Sequence, residues 1–237
     1  MKEFKLSSWL VLIILCLACN NKEPIMYLEP PSPPVAAKYT YLALGDSYTI
    51  GESETTENRW TYFLASYLRQ SGVEIGNPVT VARTGWTTAE LQEAIRASNI
   101  TTTYDLVTLL IGVNNQYRGQ SLATYRTEFR ELLNTSIKFA ANKPTHVFVL
   151  SIPDWGVTPF AEDRDRNKIA QEIDAFNLVA KEECMQAGVI FVDITPASRK
   201  AALDETYVAP DKLHFSGKMY KVWAQITLPF AEAVFGK

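Results

Sequence analysis

YTYLALGDSYTIGES, residues 39–53, decides how the chain is read. Its first half, Tyr39 to Leu44, is an apolar, β-prone run that stops at Gly45. Asp46 and Ser47 follow at once, and Gly51 adds a second glycine. A strand ending this way either presents Ser47 as a nucleophile or leaves it as one more serine in a turn. Gly-Asp-Ser arises by chance in about one chain in twenty of this length, given ordinary residue usage. The tripeptide therefore decides nothing without partners elsewhere.

Outward from this run the same pattern recurs. PVTVART (78–84), DLVTLLIG (105–112), THVFVLSI (145–152) and GVIFVDI (188–194) are near-continuously apolar, as strands of a parallel sheet covered on both faces should be. Helical spacing lies between them. Leu122, Tyr125, Phe129, Leu132, Leu133 and Ile137 share one stripe, and Ile169, Ile173, Phe176, Ala180 and Cys184 another, which makes Cys184 a core residue. Thr87-Thr88-Ala89-Glu90 is a capping-box pattern that opens a helix carrying Leu91, Ala94 and Ile95. A last helix is expected from about Ser216, disturbed at Pro229. Alternating strands and helices imply an α/β fold: a five-stranded parallel sheet inside a three-layer α/β/α sandwich. In such sheets functional residues gather beyond the carboxyl ends of the strands. That rule, and not the tripeptide, first singles out Ser47, Gly85, Asn114, the loop from Pro153 and the segment ending at His214.

The chain has 237 residues and a formal charge of −3, enough for one domain of about residues 39–237. The slight acidity offers no basic stripe, so nucleic acid is not an expected partner. Lys2 and Lys5 precede an apolar run from Trp9 towards Cys19 that is too short to span a bilayer, so residues 1–18 read as a signal peptide. Ala18 before Cys19, with Asn20 and Asn21 after it, resembles a bacterial lipoprotein signal cut before a lipidated Cys19. Leu is more usual where Cys16 stands. The expectation is a membrane anchor of acyl chains, a proline-rich tether over 19–38, and a cell-envelope address facing the periplasm or the outside. With Cys16 removed and Cys19 lipidated, Cys184 is alone, and no Cys/His metal pattern is present.

A serine hydroxyl needs a base within hydrogen-bond reach, and the chain has two histidines. His146 opens a strand at its amino end, the wrong edge of the sheet, and reads as structural. His214, in APDKLHFSG, lies on the right edge. Asp211 precedes it by three residues, so its carboxylate reaches Nδ1 if the segment turns. Acyl transfer also needs donors for the developing oxyanion. The backbone N–H groups of Ser47 and Gly85 and the side-chain amide of Asn114 are available. Asp46 reads as a turn-former whose carboxylate accepts backbone N–H bonds.

Four blocks, GDSY at Ser47, RTGWT at Gly85, GVNN at Asn114 and DKLH ending at His214, resemble in order and spacing those of the SGNH, or GDSL-type, hydrolases, over roughly residues 39–235. The resemblance implies a flavodoxin-like sandwich and hydrolysis of esters or thioesters through an acyl-serine, without metal or cofactor. It makes Ser47 the nucleophile, His214 the base, Asp211 its orienting group, and Ser47, Gly85 and Asn114 the oxyanion hole. Two positions depart from the pattern: Tyr48 where Leu is usual, and Asn115 where Asp is usual. The absence of GxSxG sets aside the α/β-hydrolase nucleophile elbow.

Tyr48 and the aromatic residues Trp86, Tyr117, Trp155, Phe160 and Phe215 are the expected substrate pocket, able to face an acyl chain or a sugar ring. The leading expectation is a lipase/acylhydrolase or lysophospholipase-like esterase, and the alternative a carbohydrate acetylesterase. A silent acyl- or glycan-binding domain is the reading from a different class, and the intact Ser47, Asp211 and His214 argue against it.

Overall fold

The computed structural model describes residues 37–237. The signal peptide, Cys16, Cys19 and nearly all of the tether lie outside the described residues. In chain order the elements are β1 (Tyr41–Gly45), α1 (Ser47–Ile50), α2 (Trp60–Gln70), β2 (Val79–Ala82), α3 (Thr88–Ala97), β3 (Leu106–Leu110), α4 (Val113–Tyr117), α5 (Leu122–Phe139), β4 (Val147–Leu150), α6 (Arg166–Ala187), β5 (Ile190–Val192), α7 (Thr195–Ser198) and α8 (Gly217–Val234).

The five strands form one parallel sheet in the order β2-β1-β3-β4-β5. Helices α2 and α8 pack together as one layer, and α3, α5 and α6 as the other. This is the flavodoxin-like α/β/α sandwich that the strand–helix alternation predicts. Its strand order reverses between β1 and β3, so the loops after these two strands diverge and leave a crevice. Each strand is shorter than its apolar run: β1 starts two residues into its run and ends with it, and the others lose residues at both ends. Burial also differs from expectation at the sheet's edges. β1 and β3 are buried throughout, whereas Val79 on β2 is 41% exposed and Ile190 and Phe191 on β5 are half-buried.

Local chemistry explains the connections that matter. Thr87 and Glu90 form the capping box, with the Glu90 carboxylate accepting from Thr87 N at 2.7 Å. Gly45 ends β1 because α1 folds tightly back over it. A Cβ there would lie 2.1 Å from Thr49 Oγ1 and 2.4 Å from the Leu110 carbonyl oxygen. Pro229 does not interrupt α8, which starts after Ser216 and runs on to Val234. The ring removes one N–H four residues after Gln225, and Gln225 is exposed, so water can take up its carbonyl. Cys184 is fully buried and its thiol is pushed up to about 12 by that burial. His146 donates from Nδ1 to the Asp105 carbonyl at 2.8 Å, in a turn at the amino end of β4. Both residues are structural, as expected.

Candidate active site

Ser47 is the first residue of α1, directly beyond β1. Its N–H has no acceptor within the helix, as for any first-turn residue. Asp46 caps this turn: Oδ1 accepts from Tyr48 N at 3.0 Å, the expected role. Burial pushes the Asp46 carboxyl up to about 8, even with that bond and one to its own backbone pulling it down. Asp46 therefore keeps its proton to far higher pH than an ordinary carboxyl, and it sits directly before Ser47 in the chain.

Asn114 lies in α4, just past β3 and across the crevice. Its Nδ2 donates to the Trp86 carbonyl at 2.9 Å, leaving its second hydrogen for another acceptor. Gly85 is the third residue of a turn closed by a 3.3 Å bond from Trp86 N to the Arg83 carbonyl. Its φ of +85° is the left-handed value that a type II turn requires there, hence glycine. The turn's bond uses Trp86 N–H, so the Gly85 N–H takes no part in it. Arg118 Nη2 donates to the Gly85 carbonyl at 2.6 Å and fixes the peptide plane.

The segment before α8 turns sharply, with Lys212 at φ +65° and a 2.8 Å bond from Ala209 N to the His214 carbonyl. This turn brings Asp211 Oδ2 to 2.6 Å from His214 Nδ1, while Asp211 Oδ1 accepts from the backbone N–H groups of Leu213 and His214 at 3.0 and 2.9 Å. Partial burial of Asp211 works against its charge. The bonds from His214, Ser53 and the backbone outweigh it, and the carboxyl is held at about 2. At neutral pH it is therefore an anion facing the imidazole. Tyr48 stands behind the imidazole, its ring edge-on at 5.5 Å, and Phe215 and Trp223 back Tyr48 in turn.

Ser47, Asn114 and His214 open onto one cavity of about 210 Å³, whose remaining lining is Tyr48, Val113, Tyr117, Trp155, Phe160 and Leu213. A serine hydroxyl, a carboxylate-paired imidazole and a side-chain amide thus share one largely apolar chamber. Among the described residues, no group of three or more His, Cys, Asp or Glu side chains is placed to hold a metal ion.

The sequence profile of the GDSL-like Lipase/Acylhydrolase family matches residues 43–222. The chain belongs to this family. Its reaction class is accordingly the hydrolysis of ester bonds. Comparison with curated protein sequences finds no match. Among solved structures, TesA superposes with a TM-score of 0.66 at 19% identity, covering 82% of this chain and 99% of the other. A lipase/acylhydrolase from Enterococcus faecalis gives 0.64 at 20% identity, covering 82% and 96%. A catalytic mutant of Axe2, an acetylxylan esterase from Geobacillus stearothermophilus, gives 0.66 at 16%, covering 83% and 95%. At such identities the likeness is one of fold.

Two of the expected pocket residues of this hydrolase fall elsewhere. Phe215 is fully buried behind Tyr48, because the chain at His214 alternates inward and outward as it pairs with Val208. Trp86 is half-buried outside the cavity lining and serves the site through its backbone carbonyl. Gly85 likewise stands outside the lining, joined to Asn114 through Trp86. Tyr48 does line the cavity, but at 2% exposure it is chiefly a support for His214. Sequence reasoning missed Val113 and Leu213, each a neighbour of a singled-out polar residue. It also missed Ser53, whose hydroxyl donates to Asp211 Oδ2 at 2.7 Å from a positive-φ turn.

Asn115, the second departure, proves to be a fastener. Fully buried, it accepts from Thr88 N at 3.1 Å and donates to Thr88 Oγ1 at 2.6 Å and to Gln120 Oε1. Thr88 Oγ1 and Gln120 Nε2 both donate to Glu128. Only an amide can accept and donate in this way, so Asn at this position fits a network that ends on a carboxylate.

Proposed function

We propose that this hydrolase is a serine esterase working through an acyl-Ser47 intermediate. Asp211 occupies Nδ1 of His214, which leaves Nε2 to take the Ser47 proton as Oγ attacks the ester carbonyl. The N–H groups of Ser47 and Gly85 and the Asn114 amide stabilise the oxyanion. Collapse of the tetrahedral species returns the proton from His214 to the departing alcohol. Water then attacks the acyl carbonyl as His214 takes its proton, and His214 returns that proton to Ser47 Oγ as the ester bond breaks and the acid leaves. The observation carrying this reading is the 2.6 Å contact between Asp211 and His214, made by a histidine that lines the same cavity as Ser47.

The favoured substrate is a carboxylic or thio ester with an apolar acyl group, of the lipase/acylhydrolase or lysophospholipase kind. The cavity's lining beyond Ser47, Asn114 and His214 is Tyr48, Val113, Tyr117, Trp155, Phe160 and Leu213. An acetylated glycan is the second reading, supported by Tyr117 and Phe160, 48% and 40% exposed, whose ring faces suit a sugar. The leader pattern supports anchoring through Cys19 in a bacterial cell envelope, which suits either substrate. Comparing p-nitrophenyl esters of rising acyl length, lysophosphatidylcholine and acetylated xylan separates them. Sustained activity on long chains supports the acylhydrolase; a sharp fall beyond acetyl with release of acetate from xylan supports the deacetylase.

A further inference from the structure

The aromatic wall of the cavity carries a cation. Arg164, exposed just before α6, holds its guanidinium carbon 5.2 Å from the ring centre of Tyr117, 5.4 Å from that of Trp155 and 5.1 Å from that of Phe160. Its Nη2 also donates to Tyr117 Oη at 3.1 Å. The rings meet edge to face, with centres 5.5 Å apart for Tyr117–Trp155 and 6.0 Å for Trp155–Phe160. Cations over aromatic faces are attracted by the ring quadrupole, and arginine does this best because it is flat and weakly hydrated.

The three rings are not held alike. Trp155 is 3% exposed and its Nε1 donates to Gln116 Oε1 at 2.9 Å, so it is fixed without Arg164. Tyr117 and Phe160 are both largely exposed, and Arg164 is the side chain that ties them together across Trp155. All three rings line the chamber that Ser47 opens onto. The wall thus has a buried back and two exposed leaves bridged by one clasp.

We propose that Arg164 is a positioning residue that sets the acyl-length limit of the enzyme, by clasping Tyr117 and Phe160 across the end of the cavity. The proposal rests on the acyl-Ser47 reading, because the acyl group is the part of the substrate that must be housed while attached to Ser47. An acetyl group is too short to test the wall; a longer chain presses on it. Releasing the clasp lets the two exposed rings part and admits further methylenes. Each methylene newly buried is worth about a factor of four in affinity.

The test is kcat/KM for p-nitrophenyl acetate and p-nitrophenyl octanoate with the wild type, Arg164→Ala and Arg164→Lys. Arg164→Ala is expected to hydrolyse the acetate within about twofold of the wild-type rate. Its octanoate-to-acetate ratio is expected to rise roughly fifteenfold, the equivalent of two methylenes. Arg164→Lys keeps the charge but loses the flat stack, and its ratio should fall between. A ratio that does not move, or two esters that decline together, overturns the proposal. A second measurement does not depend on turnover: calorimetric binding of 2-octanone to Ser47→Ala protein, with and without Arg164→Ala. Tighter binding, by about tenfold, is expected without the clasp; equal affinity, or binding in neither, overturns it. Loss of acetate hydrolysis by the wild type would count against acyl-Ser47 itself, a failure distinct from either result.

Discussion

Replacing Asn115 by Asp restores the residue more usual at this position in the family pattern, yet the structure predicts damage. The protons of the buried network all run one way, from Asn115 Nδ2 to Thr88 Oγ1 and Gln120 Oε1, and from these two residues to Glu128. A carboxylate supplies neither donor, so two bonds vanish at about 1 kcal/mol net each. Two acceptors, Thr88 Oγ1 and Gln120 Oε1, lose their donor, and a new charge stands at a site with no exposure, facing the same hydroxyl as Glu128. The bond from Thr88 N to the side chain survives and is strengthened by the charge. The balance is a loss of about 2–4 kcal/mol, or roughly 4–16 °C in Tm for a domain of this size. Urea unfolding at pH 7 measures it directly. Adding Glu128→Gln to Asn115→Asp gives the network an amide at its other end and lets Thr88 donate to the new carboxylate, so it should recover at least half of the loss. An Asn115→Asp variant within about 0.5 kcal/mol of wild type, or a second substitution that recovers nothing, refutes the proton directions argued here.

Other expectations follow from the site. Asn114→Ala removes one oxyanion donor and should lower kcat by about 10²–10³, with KM for p-nitrophenyl acetate little changed; an unaltered kcat excludes it from the oxyanion hole. Ser53→Ala takes one bond from Asp211 Oδ2 and leaves the His214 contact in place, so kcat should fall by about tenfold, the low end of what one hydrogen bond to a charged group is worth. A loss as large as that of Asp211→Asn would make Ser53 more than a support. Asp46→Asn tests the buried carboxyl. Burial raises the folded value to about 8, so between pH 4 and pH 8 the unfolded chain gives up a proton that the folded protein keeps. Wild-type stability therefore falls as pH rises through that window. The variant lacks this loss, and its stability advantage over wild type should grow from pH 4 to pH 8 by a few kcal/mol, at about 1.4 per pH unit. A constant difference across the window would show Asp46 to be ionised.

Local pattern made the fold readable. Apolar runs separated by helical stripes and the Thr87–Glu90 box are short-range signals, and the five strands fall inside their runs. The polar residues gathered at the cavity were readable too, since Ser47, Asn114 and Asp211–His214 each stand directly beyond a strand or before a helix. What escaped depends on contacts between distant segments. The 2.7 Å bond from Ser53 to Asp211 joins residues that no periodicity links. The inward turn of Phe215 follows from pairing with Val208, which sequence spacing does not announce. Tyr48 lines the cavity as its place after Ser47 suggested, but its packing edge-on against His214 depends on a contact between distant segments. Asn115 stood out only as a departure from the usual Asp, and its reason lies in Thr88, Gln120 and Glu128 around it.

The central claim is that Ser47 carries the acyl group. Its most direct measurement is p-nitrophenyl acetate hydrolysis by Ser47→Ala protein whose circular dichroism and unfolding midpoint match the wild type. The account predicts that turnover disappears, leaving at most the 10³–10⁴-fold advantage over water that binding and oxyanion donors alone provide in triad enzymes. Wild-type turnover by the folded Ser47→Ala protein would contradict it.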